Sequence, residues 1–246
     1  MLKRLEKSGR NALRTLLAPL AIRALQARAA QAKTPDEVVE LAMHFCHLGV
    51  KIGPSQIPSE IRQLIRLVAE LRPRTVLEVG TYKGGTFFMF ARVAAPDALL
   101  ISLDLPPGRM EAPTGGFDVG YAPWQGRLFR SFAREQQRVE LVQADSHDPK
   151  TGETIRRRLA GRPVDFLLID GDHTYPGVKA DFEMYSPLVR AGGVIAFHDI
   201  VPGPEARVGG VPRFWQEVKQ NRTAREFVAD WEQKAFGIGV ITVPGA

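Results

Sequence analysis

The sequence feature that most constrains the fold is an alternation of two patterns that begins at Pro73. Short apolar runs of four to six residues are followed by longer segments whose apolar residues have helical spacing. Runs that are apolar at every position, such as Phe166–Ile169, are typical of strands buried on both faces of a parallel sheet. The alternation therefore predicts an α/β fold with helices on both faces of the sheet. The runs are Thr75–Val79, Leu99–Leu103, Val139–Val142, Val164–Ile169 and Val194–Phe197.

The segments around these runs complete a doubly wound, Rossmann-like arrangement. A helix start at Thr34-Pro35 precedes the main alternation, because a cap residue and a proline in the first turn favour initiation there. We divide the chain into a helical extension over residues 1–54 and a main domain over residues 55–246. The helices predicted in the main domain lie near Pro58–Leu71, Gly85–Ala94, Leu128–Gln137, Thr151–Ala160, Gly177–Leu188 and Pro212–Gln220, and the last strand candidates are Glu226–Ala229 and Phe236–Val243.

The positive charge of the chain is concentrated in residues 1–33. This segment holds eight lysines and arginines against the single acid Glu6, while the whole chain has a net charge of +6. Because the remainder is close to neutral and carries no nucleic-acid-binding motif, we expect no nucleic-acid partner. Leucines at helical spacing predict a helix over residues 2–30, which Pro19 should kink or divide. We expect this helix to pack on the domain or on a second subunit of a homo-oligomer; contact with an anionic membrane surface is the alternative.

Composition also limits the compartment. The one cysteine, Cys46, allows neither an internal disulfide nor a cysteine-based zinc site, and it is compatible with a reducing environment. No apolar run approaches the ~18 residues that a membrane-spanning helix needs. We therefore expect a cytoplasmic protein, at most peripheral to a membrane.

A polar residue stands at the carboxyl end of each of the five predicted parallel strands. In an open parallel sheet, ligands bind beyond these ends. One such residue is usually a helix cap, but polar residues at all the ends together predict a binding site. These residues are Glu78 with the glycine loop after it, Asp104, Asp145-Ser146, Asp170-Gly171-Asp172-His173 and His198-Asp199.

The loop after the first strand discriminates between nucleotide cofactors. A dinucleotide fold uses G-x-G-x-x-G, whose free backbone amides face a pyrophosphate. Here the loop reads E-x-G-x-x-x-G-G, and a carboxylate at that point repels a pyrophosphate. It suits S-adenosylmethionine (SAM), which carries an α-ammonium group and no phosphate. We assign contacts with SAM to Glu78, Gly80, Tyr82, Gly84, Gly85 and Thr86.

The second and third strand ends extend the predicted cofactor site. Asp104 is placed to accept hydrogen bonds from both ribose hydroxyls, as the acidic residue of dinucleotide folds does. Asp145 and Ser146 would lie beside the adenine. The alternative for Asp145 is a cap of the helix that follows.

The fourth and fifth strand ends predict a divalent metal site. If these strands are neighbours, ~4.8 Å apart, then Asp170, His198 and Asp199 come within reach of one ion. Carboxylate oxygens favour Mg²⁺ or Mn²⁺, and an imidazole shifts the preference toward Mn²⁺, Fe²⁺ or Zn²⁺. Asp170 also faces the cofactor and the reacting atoms. The alternative is that His198 and Asp199 only cap or pack the next loop.

His173 is the candidate general base. It lies three residues after Asp170, and an imidazole titrates near neutral pH. Methyl transfer from a sulfonium to a hydroxyl group requires that the hydroxyl lose its proton. The alternative for His173 is a supporting or capping residue.

These motifs resemble SAM-dependent methyltransferases related to macrocin O-methyltransferase and to cephalosporin hydroxylase-like proteins. The resemblance covers about residues 55–243 and is carried by Phe166–Gly193 with Ile195–Asp199, by Glu78–Thr86 and by Gly210–Trp215. It implies a seven-stranded sheet whose last strand is antiparallel, a metal held at the ends of strands four and five, and a histidine base at His173. His198-Asp199 departs from the pair of acidic or acid/amide residues common in this family.

The resemblance implies O-methylation of a sugar, glycan or natural-product hydroxyl. Aromatic residues in the long loop Leu105–Gln125, including Tyr121 and Trp124 near Gly115-Gly116-Phe117, would either stack on such an acceptor or anchor the loop. The main alternative is a metal-dependent oxygenase or hydrolase that uses His173, His198 and Asp199. An NAD(P)-dependent oxidoreductase and a membrane-associated scaffold with a decayed site fit the strand-end residues less well.

Overall fold

The computed structural model describes residues 2–110 and 117–245 of the chain. The helices are α1 (Leu2–Ala29), α2 (Pro35–His44), α3 (Pro58–Leu71), α4 (Gly85–Val93), α5 (Pro123–Arg130), α6 (Pro149–Leu159), α7 (Tyr175–Tyr185), α8 (Glu205–Val208) and α9 (Val211–Val218), with a 3-10 turn at Ser186–Leu188. The strands are β1 (Cys46–His47), β2 (Val50–Lys51), β3 (Thr75–Val79), β4 (Leu99–Asp104), β5 (Gly108–Met110), β6 (Phe117–Val119), β7 (Arg138–Gln143), β8 (Val164–Ile169), β9 (Val189–His198), β10 (Ala224–Phe227) and β11 (Ile238–Thr242).

Seven of these strands form one sheet in the order β10-β11-β9-β8-β3-β4-β7. The five strands predicted from the apolar runs are parallel to one another. Strand β11 is antiparallel to both of its neighbours, β9 and β10. The predicted α/β, Rossmann-like sheet with an antiparallel last strand is therefore confirmed.

Helices cover both faces of the sheet because successive strand residues point to opposite sides. Val76 packs with the core under α1 to α5, whereas its neighbour Leu77 packs with the core under α6, α7 and α9. Both side chains are fully buried. This two-sided burial is the reason for the nearly continuous apolar runs in the sequence.

The helix α1 is continuous through Pro19, so of the predicted kink or division at that residue the division is wrong, and the kink stays a prediction. A proline in a helix leaves the carbonyl four residues earlier without its donor. Pro19 and Thr15 are both exposed, so water can donate to that carbonyl instead. On the opposite side, Ala18, Ala21 and Leu25 are buried in the domain core, which confirms the expected packing of α1 on the domain. No helix within the described ranges is long and apolar enough to cross a membrane.

Helix α5 begins and ends earlier than the predicted segment Leu128–Gln137. Pro123 starts it in the first turn, where its missing N–H is tolerated. After Arg130 the chain turns, with Glu135 in the left-handed region at φ 54°. Gln137 then donates hydrogen bonds to the carbonyls of Ala91 and Ala95 at the end of α4. These long-range bonds outweigh the local helical periodicity.

The aromatic residues of the long loop that can be described anchor it and are not free to stack on a ligand. Tyr121 and Trp124 are 3% and 6% exposed, and the Tyr121 ring packs edge-on against Phe129 at 4.8 Å. The guanidinium of Arg14 covers Trp124. Of the two predicted roles of these aromatic residues, stacking on an acceptor or anchoring the loop, anchoring is therefore correct for Tyr121 and Trp124. The predicted Gly115-Gly116 part of the loop lies outside the described residues.

Strand β10 begins and ends two residues before the predicted Glu226–Ala229. Its chain leaves the sheet after Phe227 because the amide of Ala229 donates a hydrogen bond to a buried glutamate. Glu60, at the start of α3, is fully buried. Its carboxylate accepts hydrogen bonds from the amides of Ala229 and Gly237 and from the side chain of Gln233. Glu60 thus joins α3 to the loop between β10 and β11.

Candidate functional site

The strand ends predicted to bind ligands lie side by side at one edge of the sheet. Val79 is in register with Leu103 on one side and with Ile169 on the other, and Ile169 is in register with Phe197. The residues that follow these four are Gly80, Asp104, Asp170 and His198. The fold therefore brings the predicted cofactor loop next to the predicted metal ligands.

The glycine loop after β3 closely approaches the end of β8. Gly80 has φ 88°, and a Cβ atom there would lie 2.0 Å from the carbonyl oxygen of Asp170. Only glycine combines this conformation with this approach. Gly84 has φ 83° and is the cap of α4, whose first turn contains Gly85 and Thr86. A SAM molecule in this loop would therefore lie within reach of the Asp170 segment.

Glu78 is a buried carboxyl group with one oxygen unused. The Thr86 hydroxyl donates to Oε1, whereas Oε2 is buried and has no partner among the described residues. Burial raises the pKa of Glu78 to about 8, although the Thr86 hydroxyl opposes the shift. A buried acceptor without a donor is destabilising. The α-ammonium group of SAM is the kind of donor this oxygen lacks, so the residues present fit this cofactor.

Asp104 shapes the glycine loop from the end of β4. Its Oδ2 accepts the amides of Thr81 at 3.2 Å and Tyr82 at 2.9 Å, and its Oδ1 accepts the amide of Leu105 at 2.8 Å. Burial raises the pKa of Asp104, although these amides oppose the shift. Each carboxylate oxygen has further acceptor capacity, so binding of the ribose hydroxyls stays a prediction. The Tyr82 side chain beside it is exposed.

Asp145 and Ser146 form a turn after β7. Asp145 Oδ1 accepts the amide of His147 at 2.9 Å, and the Ser146 carbonyl accepts the Tyr185 hydroxyl at 2.7 Å. The cap of α6 is Asp148, so the alternative role of Asp145 as that cap is wrong. Contact of the turn with adenine stays a prediction.

Two carboxylates and two imidazoles meet at the ends of β8 and β9. His198 Nδ1 lies 3.2 Å from Asp170 Oδ1 and 3.4 Å from Asp199 Oδ2. His173 Nε2 lies 3.5 Å from Asp170 Oδ1, and its Nδ1 lies 3.4 Å from Asp199 Oδ2. We call these four residues the acid–histidine cluster. The sequence prediction named all four, and the fold brings them together.

In the acid–histidine cluster, the carboxylates stabilise the protonated imidazoles, and the imidazoles stabilise the ionised carboxylate of Asp170. Burial alone would lower the pKa of both histidines, but the facing carboxylates outweigh it. They raise the pKa of His173 to about 9 and that of His198 to about 10. In turn, the two imidazoles hold the pKa of Asp170 well below its usual range in spite of its burial.

Three members of the cluster have the geometry of a metal site. Ligand atoms of Asp170, His173 and Asp199 lie within 4.8 Å of one another. The histidine in this set is His173. The sequence predicted instead that His198 is the metal ligand and that His173 is the general base. Two carboxylates and one imidazole suit Mg²⁺ or Mn²⁺. The choice of histidine stays a prediction, since His198 contacts the same two carboxylates and its buried Nε2 has no partner among the described residues.

Backbone groups from distant segments orient the cluster. His173 Nδ1 lies 2.9 Å from the carbonyl oxygen of Arg207, and the amide of Gly210 donates to the His173 carbonyl at 2.8 Å. Asp199 has the unusual φ of 60°, and its Oδ1 accepts the amide of Phe236 at 2.7 Å. Sequence reasoning missed Arg207 and Phe236 because they contribute backbone atoms, which leave no signature in residue type.

Gln56 is a further site residue that sequence reasoning missed. It lies in the loop before α3 and is 9% exposed. Its Nε2 is 3.5 Å from Asp170 Oδ2, and its Oε1 is buried without a partner among the described residues. A loop glutamine has no periodic or motif signal, and only the fold brings it to Asp170.

We predict that Gln56→Ala lowers kcat/KM for the expected methyl transfer about tenfold, because Asp170 loses a neighbour that orients it. The measurement is steady-state kinetics with separate kcat and KM values. Gln63→Ala is the matched control, since Gln63 is an exposed glutamine in α3. Equal losses in both variants would show that Gln56 has no special role.

Sequence relatives of the chain include an uncharacterized protein of Sinorhizobium fredii, 31% identical over 65% of this chain. A rhamnosyl O-methyltransferase of Mycobacterium tuberculosis is 27% identical over 54% of the chain, and catechol O-methyltransferase B of Danio rerio is 26% identical over 77%. The chain spans 17%, 48% and 63% of the lengths of these three relatives.

Solved structures with the same fold include an O-methyltransferase from Bacillus cereus in complex with SAH. It has a TM-score of 0.54 and 20% identity, and the match covers 90% of both chains. An O-methyltransferase from Streptomyces achromogenes in complex with SAM has a TM-score of 0.53 and 18% identity, with 89% of this chain and 90% of the other covered. At these identities the likeness establishes the fold.

A family model described as "Methyltransferase domain" matches residues 77–200, just over half of the chain. The matched range begins within β3, ahead of Glu78, and ends just beyond Asp199, so it contains the glycine loop and the whole acid–histidine cluster. The chain thus belongs to this methyltransferase family, within the class I SAM-dependent methyltransferases related to O-methyltransferases.

Proposed function

We propose that this protein transfers the methyl group of SAM to a hydroxyl oxygen of a sugar, glycan or other polyhydroxylated natural product, with a divalent metal ion in its site. The observation that carries the proposal is the acid–histidine cluster at the ends of β8 and β9, held against the glycine loop by the Gly80–Asp170 contact. The cluster would supply carboxylates that bind a cation and an imidazole that accepts a proton. Both lie next to a loop that suits SAM.

The chain's own residues would perform two tasks. Glu78, Asp104 and the glycine loop would bind and orient SAM, which supplies a methyl group on a positively charged sulfur. His173 would remove the acceptor proton. Its Nδ1 proton can be donated to the Arg207 carbonyl, and this tautomer leaves Nε2 free to accept. Removal of the acceptor proton by Nε2 would leave the acceptor oxygen as the nucleophile for the methyl group, and S-adenosylhomocysteine would be the second product.

A metal ion would be held by Asp170 and Asp199 with His198 or His173. Bound there, it would lower the pKa of a coordinated acceptor hydroxyl. The proposal that His173 acts as the base then requires that His198 complete the metal site. His198 stands where the resembling family commonly has an acidic or amide residue. Its Nδ1 lies within 3.4 Å of an oxygen of both carboxylates.

The protonation state of His173 yields a test of this arrangement. At a pKa of about 9 the imidazole is protonated at neutral pH and cannot accept a proton. A cation between Asp170 and Asp199 neutralises the charges that raise this pKa, so we expect it to fall below about 7. NMR titration of the His173 ring with and without Mg²⁺ measures this shift. A midpoint unchanged by saturating Mg²⁺ would contradict a shared metal site.

The acceptor class rests on two similarities. One relative is a rhamnosyl O-methyltransferase, and the motifs of residues 55–243 resemble the macrocin O-methyltransferase group. Both favour a sugar hydroxyl, whereas the catechol O-methyltransferase relative makes a catechol the comparison acceptor. The aromatic residues Tyr121 and Trp124 are buried, so the acceptor would have to be recognised by other groups at this edge of the sheet.

The competing functions have less support. An oxygenase or hydrolase built on His173, His198 and Asp199 would leave the glycine loop and buried Glu78 without a role. The methyltransferase family match covers both features. An NAD(P)-dependent oxidoreductase would place a pyrophosphate against Glu78. The intact acid–histidine cluster argues against a decayed site.

The first experiment is calorimetric titration of the protein with SAM, with and without Mg²⁺ or Mn²⁺, and with NAD as the control. Micromolar SAM affinity without NAD binding would support the cofactor assignment. Radiolabelled methyl transfer to rhamnosides, with catechol as the comparison acceptor, then tests the acceptor class. Absence of SAM binding under all these conditions would refute the proposed function.

A further inference from the structure

The outward face of α1 carries three leucines that no described residue covers. Leu13, Leu16 and Leu20 are 59%, 77% and 49% exposed. Their spacing of three and four residues puts them on one side of the helix. We call them the leucine stripe. Contiguous exposed apolar side chains on a protein surface mark interaction sites.

The leucine stripe lies opposite the face that anchors α1. Ala18, Ala21 and Leu25 are buried in the domain core. Leu16 and Leu20 are each two residues from Ala18, which is about 200° around the helix. The domain therefore fixes the helix with its stripe toward solvent, and burial of the stripe requires a surface other than the residues that the structure describes.

The charge of the segment identifies the kind of surface that fits. Residues 1–33 hold eight basic residues and one acid. Arg23, which borders the stripe, is exposed, as are Arg28 and Lys33. Clusters of lysine and arginine beside apolar side chains are attracted to anionic lipid headgroups. A second copy of the chain would bring two strongly basic segments together, and like charges repel.

We propose that α1 binds to the surface of an anionic lipid membrane. The leucine stripe enters the boundary between headgroups and acyl chains, and the flanking basic side chains contact the headgroups. The helix lies in the plane of the surface, since no described helix is able to span a membrane. This membrane contact is a property of the protein separate from methyl transfer.

The test is sedimentation of the protein, residues 1–246, with vesicles of phosphatidylcholine alone or with about 30% phosphatidylglycerol. We expect at least about tenfold stronger binding to the anionic vesicles, with most of the gain lost in high salt. Sedimentation velocity without vesicles is run on the same samples to report self-association.

Two variants separate the contributions of the stripe and the charge. Leu16→Ser with Leu20→Ser is expected to weaken binding to anionic vesicles about tenfold, because apolar burial is lost. Arg23→Gln is expected to weaken it about fivefold, because one headgroup contact is lost. Leu48→Ser is the matched control, since Leu48 is 46% exposed and lies outside α1. All of these positions are exposed, and thermal unfolding checks that each variant is folded.

Three results would overturn the proposal. Equal binding to neutral and anionic vesicles would show that charge does not contribute to membrane binding. Equal binding by the double leucine variant and by Leu48→Ser would show that the leucine stripe does not contact the membrane. A wild-type dimer that the double leucine variant dissociates, without a change in vesicle binding, would assign the stripe to a second copy of the chain.

Discussion

His173→Ala is expected to reduce methyl transfer about 10³-fold while leaving SAM affinity within about twofold of the wild type. The imidazole is the proposed proton acceptor, and its nearest described contacts are Asp170, Asp199 and the Arg207 carbonyl. None of these belongs to the glycine loop, so removal of the ring leaves that loop intact. Single-turnover rates of methyl transfer and calorimetric SAM titration measure the two effects separately.

The contrast with Asp170→Ala sharpens this prediction. Asp170 faces both histidines of the cluster and adjoins Gly80 of the cofactor loop, so its loss is expected to abolish activity and to weaken SAM as well. His44→Ala is the control for histidine removal, because that side chain is 75% exposed on α2. Full activity of His173→Ala on the true acceptor would show that another group takes the proton.

Glu78→Gln is expected to weaken SAM binding about 100-fold, because a bound α-ammonium group favours the ionised form of Glu78 and glutamine cannot supply that charge. The substitution keeps the shape of the side chain and an acceptor oxygen for the Thr86 hydroxyl. Loss of affinity would therefore report the charge rather than the packing. Calorimetric titration of the variant with SAM and with sinefungin, which keeps the α-ammonium group, is expected to give parallel losses.

The same variant is expected to be more stable than the wild type without cofactor. An unfolded glutamate ionises near 4.5, whereas the buried carboxyl of Glu78 keeps its proton up to about 8. As the pH rises between these values, the unfolded state releases its proton first, and the free energy of unfolding falls. At pH 7 that loss is roughly 3 kcal/mol, and glutamine, with no proton to release, avoids it.

Thermal unfolding measured from pH 4 to pH 9 checks this linkage. The advantage of Glu78→Gln should be small near pH 4, grow through neutral pH and level off above about 8. Glu140→Gln is the control, because Glu140 forms a surface ion pair with Arg158 and should change stability by less than about 1 kcal/mol. An advantage that does not depend on pH would mean that Glu78 is ionised in the folded protein.

The sheet was predictable because its strands are buried on both faces. Thr75–Val79 and Val164–Ile169 have the predicted bounds, since burial requires an apolar residue at nearly every position. Helix α5 was misplaced because Gln137 is used to satisfy the carbonyls at the end of α4, a contact between residues more than 40 positions apart. Local periodicity carries no information about such long-range bonds.

The placement of the candidate site was predictable for the residues that stand at strand ends. Asp170, His198 and Asp199 follow parallel strands, and parallel strands place their ends at one edge. The strands do not reveal which distant backbone groups orient these side chains. Arg207 and Phe236 act through main-chain atoms, and Gln56 reaches Asp170 across 114 residues, so only the tertiary structure could identify them.

The carboxylate of Glu60 also has a consequence for the order in which the molecule can be assembled. Its three donors lie 169 to 177 residues further along the chain. A folding intermediate in which the loop between β10 and β11 is not yet in place would have to bury this carboxyl group without any of these donors, which is unfavourable. Strand β11 and the Phe236 amide that holds Asp199 belong to the same part of the chain. The candidate site is therefore completed only when the loop between β10 and β11 has docked on Glu60, and disruption of that loop should destabilise the whole fold rather than the last hairpin alone.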